Sequence, residues 1–266
     1  MTDKMKKLYG KLVRKQQEVN YAGDFSTWSE ARENCEGYDS NSIFQKVSNA
    51  AMQVKKGKAL FDRDSVLFYE EEWNYPLIAW LQKIAAKYDQ RLTIIDFGGA
   101  LGSTYYQNRN FLKESIHQLQ WIIQEQSHFV EFGKKNLADQ ELVFENDLKK
   151  IAEVYSVNVL LFSSVLQYLE NWMEVVKREI SMYSIEDIII ERTPVGNRNR
   201  IWVETVHEPI YEASYECQVF EEQKFVKFFE EQGYVLKSSW HSLVDSDVVC
   251  GDDIVVFKSF VFGKQK

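Results

Sequence analysis

Two hydrophobic patterns divide the chain near residue 88. Before that point apolar residues recur every three to four positions, as Trp28 and Ala31 do, which is typical of amphipathic helices. This spacing predicts a helical N-terminal extension over residues 1–88. A short apolar element at 65–69 interrupts it, and a helix over 76–88 ends it, with a proline in its first turn.

From residue 89 to 266, short apolar runs alternate with helical segments. Five of these runs have strand length and are rich in β-branched residues: 92–96, 121–125, 142–146, 157–163 and 186–192. Such alternation predicts right-handed β-α-β crossovers and a parallel sheet. After an insertion at about 193–220 and one more helix, two runs at 234–240 and 253–262 follow without a helix between them. We therefore predict a doubly wound, Rossmann-like sheet of seven mostly parallel strands, the last of them antiparallel.

Composition and charge narrow the functional class. The chain has 32 Lys and Arg against 40 Asp and Glu, a net charge of −8, which disfavours a nucleic-acid partner. Three cysteines far apart in the sequence are typical of a reducing compartment, so we expect a cytoplasmic protein. We expect no transmembrane segment, because no apolar run approaches ~18–20 residues. The basic residues at 4–15 are interpreted as a solvated helix face, and the oligomeric state stays open.

A glycine-rich turn follows the first strand of the predicted sheet. Its residues are Asp96, Phe97, Gly98, Gly99, Ala100, Leu101 and Gly102. Glycines at this place allow a tight turn and a close approach of backbone to ligand. A dinucleotide fingerprint would place its third glycine at position 103, which is Ser103. An acid two residues before a Gly-x-Gly/Ala-x-Gly turn is instead typical of S-adenosylmethionine enzymes, where Asp96 would face a positively charged ligand. A purely structural glycine loop is the alternative.

Polar residues also follow the next three strands. Glu125 lies 23 positions after Gly102, where an acid can hold ribose hydroxyls, and Gln126 follows it. Asn146 and Asp147 come after the third strand and suit an adenine amino group, although Asp147 equally suits a helix N-cap. Two small residues end the fourth strand, Ser163 and Ser164. We predict a cofactor site made by these six residues and the glycine turn.

On these motifs the chain resembles a class I S-adenosylmethionine-dependent methyltransferase. More narrowly, it is similar to a bacterial methyltransferase family associated with surface-polysaccharide gene clusters. The residues that carry the narrower resemblance are Gly57-Lys58-Ala59, 63–68, Asp96 to Arg109 with its Gly102-Ser103-Thr104-Tyr105-Tyr106, Glu125-Gln126, 163–169, Arg192-Thr193-Pro194, Ile210-Tyr211 and 213–215, with Trp28, Cys35, Gly37 and Tyr38 as a possible upstream part. The chain departs from the family at Ala100, where many members have glycine.

The resemblance implies S-adenosylmethionine as cofactor and a small or saccharide-linked acceptor, methylated on oxygen in preference to nitrogen. Alignment supplies much of the rate in such a displacement, and an oxygen acceptor also needs a general base. The candidates are His207, in the insertion, and Glu191, which closes the fifth strand beside Arg192. The alternatives are a loop histidine and a local ion pair. No metal site is expected, and the acidic residues at 245–253 are interpreted as a solvated connection.

Two other functions fit the same patterns. A catalytically silent protein of this fold would bind or assemble with a partner and would bind neither S-adenosylmethionine nor its demethylated product. A nicotinamide-dependent Rossmann enzyme would bind NAD and would have a regular parallel sheet without the terminal hairpin.

Overall fold

A computed structural model of the chain describes residues 19–36, 40–250 and 253–265. The basic stretch at 4–15, the Gly37-Tyr38 pair and Asp252 lie outside the described residues.

The N-terminal segment combines helices with strands. Its elements are β1 (Val19–Phe25), α1 (Trp28–Glu33), α2 (Ser40–Lys55), β2 (Phe61–Arg63), β3 (Val66–Phe68), α3 (Tyr75–Ala85) and a 3₁₀ turn (Ala86–Tyr88). The prediction of a helical extension is thus corrected at β1, which pairs antiparallel with a strand near residue 204. Tertiary pairing decides this strand, because its own apolar alternation is weak. The helix beginning near Pro76 is confirmed, with the Asn74 side chain accepting a hydrogen bond from the Leu77 amide at 3.3 Å.

The second part alternates strands and helices. In chain order it contains β4 (Arg91–Phe97), α4 (Ser103–Leu112), β5 (Gln118–Gln124), α5 (Ser127–Asn136), β6 (Leu142–Phe144), α6 (Leu148–Val154), β7 (Val159–Ser163), a 3₁₀ turn (Leu166–Tyr168), α7 (Trp172–Tyr183), β8 (Asp187–Gly196), β9 (Arg200–Val206), β10 (Ala213–Glu221), α8 (Glu222–Glu231), β11 (Tyr234–His241), β12 (Val248–Cys250) and β13 (Asp253–Lys264). Between β7 and α7 the chain first makes the 3₁₀ turn after Ser164, whose φ is +53°.

Seven strands form the central sheet in the order β6-β5-β4-β7-β8-β13-β11. Neighbours are parallel except at β13, which is antiparallel to both β8 and β11. The predicted fold class is confirmed, including the antiparallel last strand. The observed hairpin contradicts the regular parallel sheet that a nicotinamide enzyme would have.

Helices cover both faces of this sheet. Consecutive residues alternate between two cores, so that Ile94 packs with one cluster and Ile95 with the other. Strands buried on both sides appear in the sequence as continuous apolar runs, which is why β4 and β7 were predictable. The carboxyl ends of the parallel strands therefore share one edge of the sheet, where loops leave room for a ligand.

A second, three-stranded antiparallel sheet consists of β1, β9 and β10. We call it the roof sheet. One face packs on α1 through Ala31, Ile201 and Val203. The end of β10 pairs in parallel with the end of β8, at Phe220 with Val195, which joins the roof sheet to the central sheet. Both β9 and most of β10 come from the segment predicted as an insertion at about 193–220, and their pairing with β1 is a feature of the tertiary structure.

Within the described part of the chain, no helix combines the length and apolar character needed to cross a bilayer.

Candidate active site

The glycine turn lies at the carboxyl end of β4 and is shaped by close contacts. Gly98 has a φ of +69°, and a Cβ there would lie 2.5 Å from Val165 Cγ2. A Cβ on Gly99 would lie 2.6 Å from Asp96 Cγ. A side chain at either position would collide with its neighbour, so the turn needs glycine at both. Ala100 has a φ of +48°, in the left-handed region that favours glycine.

Asp96 is the buried acid behind the turn. Its side chain is 0% exposed, and its Oδ2 accepts a hydrogen bond from Trp121 Nε1 at 2.9 Å. Its Oδ1 has no hydrogen-bond partner among the described residues. Burial, with smaller contributions from the nearby carboxylates of Glu191 and Glu125, raises the pKa of Asp96 to about 7. An unpaired carboxylate oxygen in a buried site favours a cation or a hydrogen-bond donor as its partner.

Glu125 lies across from the same turn, just past β5. Its Oε1 accepts a hydrogen bond from the Gln126 amide at 2.7 Å. Burial raises the pKa of Glu125, while hydrogen bonds from the backbone of Gln126 and Ala100 lower it. The structure therefore brings Glu125 together with the glycine turn, and Gln126 stands exposed beside it.

Asn146 and Asp147 are at the end of β6, and both make local contacts. Asp147 caps α6, since its Oδ1 accepts hydrogen bonds from the amides of Lys149 and Lys150 at 3.0 and 3.2 Å. Asn146 donates from Nδ2 to Ser127 Oγ at 3.0 Å. The helix-cap alternative for Asp147 is thus observed, and a role of either residue toward adenine stays a prediction.

Ser163 and Ser164 end β7 and are partly exposed. The Ser164 amide donates to the Glu191 carbonyl at 3.0 Å, and its Oγ accepts from Gln167 Nε2 at 3.0 Å. These bonds fix the conformation of the segment after β7, and the next residue, Val165, packs directly beside Gly98 of the glycine turn.

Glu191 and Arg192 lie in the middle of β8, which continues to Gly196, so they do not close the strand as the sequence predicted; pairing of residues 193–195 with β13 extends it. The two side chains have different partners. Glu191 is buried and accepts from Asn74 Nδ2 at 2.8 Å, and burial raises its pKa to about 7. Arg192 donates from Nε and Nη2 to the two oxygens of Asp245, at 3.0 and 3.1 Å. Arg192 is therefore in an ion pair with a residue 53 positions away, and not in the local pair with Glu191 that the sequence suggested. Asp245, expected to be solvated, instead accepts this bidentate contact.

His207 starts the β9–β10 connection. Its side chain is 39% exposed, and Nδ1 lies 3.2 Å from Glu212 Oε2 in the same connection. His207 thus occupies the rim of the roof sheet, and its role as general base stays a prediction. In the parts of the chain that the structure describes, no group of three or more His, Cys, Asp and Glu side chains is placed to hold a metal ion.

Sequence reasoning missed several groups on the inner side of the roof sheet. Glu204 is 5% exposed and accepts a hydrogen bond from the Tyr168 hydroxyl at 2.9 Å. Burial raises its pKa to about 7. The sequence holds one signal for it: in the strand Ile-Trp-Val-Glu-Thr-Val, Trp202 and Glu204 alternate with residues that pack on α1, so both lie on the inner face.

Asp62 of β2 is a further buried acid that the sequence did not single out. It is 3% exposed and accepts a hydrogen bond from Ser103 Oγ at 3.2 Å. Burial raises its pKa to about 6. This contact joins the N-terminal segment to the first residue of α4, directly after the glycine turn.

Comparison with known proteins yields similarities in structure only. No family model matches the chain. No curated protein matches it in sequence.

Among solved structures, the N-terminal domain of EvdMO1 with SAH bound is 9% identical at a TM-score of 0.47, over 86% of this chain and 98% of that one. SAM-bound CalS10, an amino pentose methyltransferase from Micromonospora echinaspora, is 9% identical at a TM-score of 0.45, over 73% and 92%. A pericyclic reaction enzyme is 11% identical at a TM-score of 0.47 over 70% of this chain, which spans about half (47%) of that chain's length. Identities at this level do not transfer a substrate or a cofactor between proteins.

Proposed function

We propose that this protein is an S-adenosylmethionine-dependent methyltransferase that acts on a small or saccharide-linked acceptor, with oxygen as the methylated atom. The observation that carries the proposal is Asp96, a buried acid with an unpaired Oδ1 directly behind a glycine turn. The turn lies at the carboxyl edge of a sheet whose last strand is antiparallel. The narrower sequence resemblance supports a bacterial protein of surface-polysaccharide biosynthesis, and free thiols support a cytoplasmic site of action.

The residues at this edge fit such a cofactor. Gly98 and Gly99 let the turn pack tightly against Val165 and Asp96, which keeps the backbone of the turn at the carboxyl end of β4 close to the proposed cofactor. Asp96 offers a carboxylate to the cationic amino acid end, and Glu125, beside the turn, suits ribose hydroxyls. Asn146, Asp147, Ser163 and Ser164 complete the proposed pocket along neighbouring strand ends.

When bound, S-adenosylmethionine supplies a methyl group on a positively charged sulfur. The protein's part is then to hold the acceptor in line with that methyl group, to exclude water and to accept a proton from the acceptor. Glu191 is a candidate for the proton, because it is buried 2.8 Å from Asn74 Nδ2 and its pKa is raised to about 7. His207, at the rim of the roof sheet, is the other candidate for the general base.

Titration calorimetry with S-adenosylmethionine and S-adenosylhomocysteine tests the proposal. We expect the wild type to bind both, and Asp96→Ala and Gly98→Val to lose binding at least tenfold. Gly57→Ala is the matched control, since Gly57 also has a positive φ but a Cβ added there would meet nothing within 4 Å. Failure of the wild type to bind either compound, at concentrations up to a millimolar, overturns the proposal and favours the silent binding protein.

A second set of measurements distinguishes a loss of cofactor binding from a loss of folding in these variants. Circular dichroism and urea unfolding of Asp96→Ala and Gly98→Val report whether each variant is folded at the temperature of the titration. Binding that is unchanged in both folded variants would refute the assigned pocket even if the wild type binds.

A further inference from the structure

The inner face of the roof sheet carries a row of aromatic and acidic side chains. Glu204 of β9 is directly opposite Tyr21 of β1 and Tyr215 of β10. Residues opposite one another in an antiparallel sheet point to the same face, so the three form one continuous row. The outer face is covered by α1. The row is on the opposite face, near the Arg192–Asp245 pair of the central-sheet side, whose charges act on Tyr21.

Two neighbouring side chains hold the carboxylate of Glu204 in place. The Tyr168 hydroxyl donates to its Oε2 at 2.9 Å, and the Cys217 thiol also forms a hydrogen bond with its carboxylate. Two carboxylate oxygens can accept about four hydrogen bonds, so these contacts orient Glu204 and leave capacity for another donor. The tyrosines of this region, Tyr21, Tyr168, Tyr211 and Tyr215, are each partly accessible. Their rings also pack on neighbouring aromatic rings, Tyr21 on Trp202 and Tyr168 on Tyr215.

A short run of contacts links Glu204 to the glycine turn. Tyr168, its hydrogen-bond donor, ends the 3₁₀ turn that follows β7. In the same turn Gln167 donates to Ser164 Oγ at 3.0 Å. Val165, which follows Ser164, is the side chain that a Cβ on Gly98 would strike. The row of the roof sheet and the proposed cofactor turn thus both contact one segment, residues 163–168.

The charges around the row disfavour an anionic ligand. The guanidinium of Arg192 is occupied by both oxygens of Asp245 and lies 3.6 Å from Asp64. Arg63 is paired with Glu72 at 2.7 Å. Glu204 and Glu191 add two buried carboxylates, so a phosphate or carboxylate bound here would meet negative charge while the nearby guanidinium groups are already paired.

We infer that the inner face of the roof sheet is the acceptor site, that it takes an uncharged polyhydroxylated molecule of the sugar class, and that Glu204 is the general base for the reacting hydroxyl. This inference rests on the proposed methyl transfer and names its acceptor and base. Tyrosine rings suit the apolar C–H faces of a sugar, and carboxylate and phenol oxygens suit its hydroxyls.

Glu204 takes up the proton that methyl transfer releases. The acceptor hydroxyl gives its proton to the Glu204 carboxylate, and its oxygen uses an electron pair to form a bond with the methyl carbon. The carbon–sulfur bond breaks, and its electron pair stays on sulfur, which becomes neutral. Glu204 ends the step as an uncharged carboxylic acid, and it returns the proton to water when product leaves.

Two measurements on the wild type, both in the presence of the cofactor or its product, test the acceptor class. The probes are methyl glucoside, methyl galactoside and methyl rhamnoside as neutral sugars, with glucuronic acid, glucose 1-phosphate and glucosamine as charged ones. We expect saturation-transfer NMR signals from neutral sugars on the protein saturated with S-adenosylhomocysteine, and label transfer to them from methyl-labelled S-adenosylmethionine. A protein that binds the cofactor but neither binds nor methylates any neutral sugar overturns the inference, as does methylation of the charged sugars alone.

Variants then test the base. Glu204→Gln should lower kcat about 100-fold or more, the range for loss of a general base, with the calorimetric affinity for S-adenosylhomocysteine unchanged within twofold. Glu216→Gln is the matched control, because Glu216 lies on the outer face of the same sheet, paired with Arg32 at 2.5 Å. It should keep kcat within threefold.

The pH dependence of kcat gives a second readout. The profile should rise through pH 7 in the wild type and become flat in Glu204→Gln. The titratable and charged groups that face Glu204 and stay in the variant are Tyr21, Asp64, Tyr168, Arg192, Tyr215, Cys217 and Asp245.

Each failure points to a different cause. If the wild type does not bind the cofactor, the proposed function itself fails. If the cofactor binds and Glu204→Gln retains wild-type kcat with the same pH profile, Glu204 is not the base. If instead His207→Gln lowers kcat about 100-fold and the remaining kcat no longer depends on pH, the base is His207 and the inference is overturned.

Discussion

Trp121 Nε1 donates a hydrogen bond to Asp96 Oδ2 at 2.9 Å across the parallel strands β5 and β4. Both side chains are completely buried. The indole thus satisfies one oxygen of the acid and fixes its orientation, while Oδ1 has no hydrogen-bond partner among the described residues. A buried polar group with one oxygen bound and one unpaired is costly in the free protein, and this cost is typical of a site prepared for a partner.

Trp121→Phe removes the hydrogen-bond donor but keeps an aromatic ring. We expect the free energy of unfolding to fall by about 1–3 kcal/mol, since Asp96 would lose its only side-chain donor among the described residues. The affinity for S-adenosylhomocysteine should fall as well, because the acid would no longer be oriented. Trp172→Phe, in the core on the other side of the sheet, is the control that loses packing without changing affinity. Equal affinities in the two variants would contradict this role of Trp121.

The stability of the ligand-free protein should depend on pH in an unusual direction. Burial raises the pKa of Asp96, Glu191 and Glu204 to about 7, whereas carboxyls of an unfolded chain titrate near about pH 4. Between these values the folded protein binds more protons than the unfolded chain. The free energy of unfolding should therefore fall as pH rises from about 4.5 to 7, by up to ~1.4 kcal/mol per pH unit for each group.

Urea unfolding at pH 5, 6, 7 and 8 without cofactor measures this slope. Asp96→Asn removes one of the titrating groups and should flatten it. Glu145 is a contrasting acid: its ion pairs with Lys134 and Lys150 lower its pKa to about 2, so it contributes no slope in this window. A stability that is constant or rises from pH 5 to 7 would contradict the expected linkage.

Ala100→Gly should stabilise the protein. Ala100 has a φ of +48°, and a left-handed alanine costs roughly 1 kcal/mol that glycine does not incur. We expect the urea midpoint to increase by an amount equivalent to about 0.5–1 kcal/mol after the greater freedom of glycine in the unfolded chain is included. Gly233→Ala is the reverse control: Gly233 has a φ of +84° in open space after α8, so alanine there should destabilise by about 1 kcal/mol. A loss of stability in Ala100→Gly would count against strain at this turn.

The Arg192–Asp245 pair should contribute more to stability than surface pairs do. Asp245→Asn leaves a largely enclosed guanidinium with one weaker partner and Asp64 at 3.6 Å, so we expect a loss of about 3 kcal/mol in the free energy of unfolding. Glu231→Gln disrupts the exposed pair with Lys227 and should change it by less than about 0.5 kcal/mol. Losses of similar size in the two variants would show that the Arg192 pair is screened like a surface pair.

The sequence alone determined the central sheet and the glycine turn. Strands β4 and β7 are buried on both faces and appear in the sequence as continuous apolar runs. The glycines between Asp96 and Gly102 predict a tight turn from the sequence alone. The absence of a helix between β11 and β13 also determined the antiparallel last strand. These features are local, because strand burial and turn geometry depend on neighbouring residues in the chain.

Only the tertiary structure decided the roof sheet and the partners of the acids. Phe25 of β1 pairs with Ile201 of β9 from the far end of the sequence, so no periodicity could show this contact. Arg192 lies next to Glu191 in the chain but pairs with Asp245, 53 residues away. Glu204 lies in a strand of mostly apolar residues, and its burial beside Tyr168 follows from strand register. Long-range pairing places these groups together, since burial and electrostatic surroundings are properties of packed elements rather than of sequence spacing.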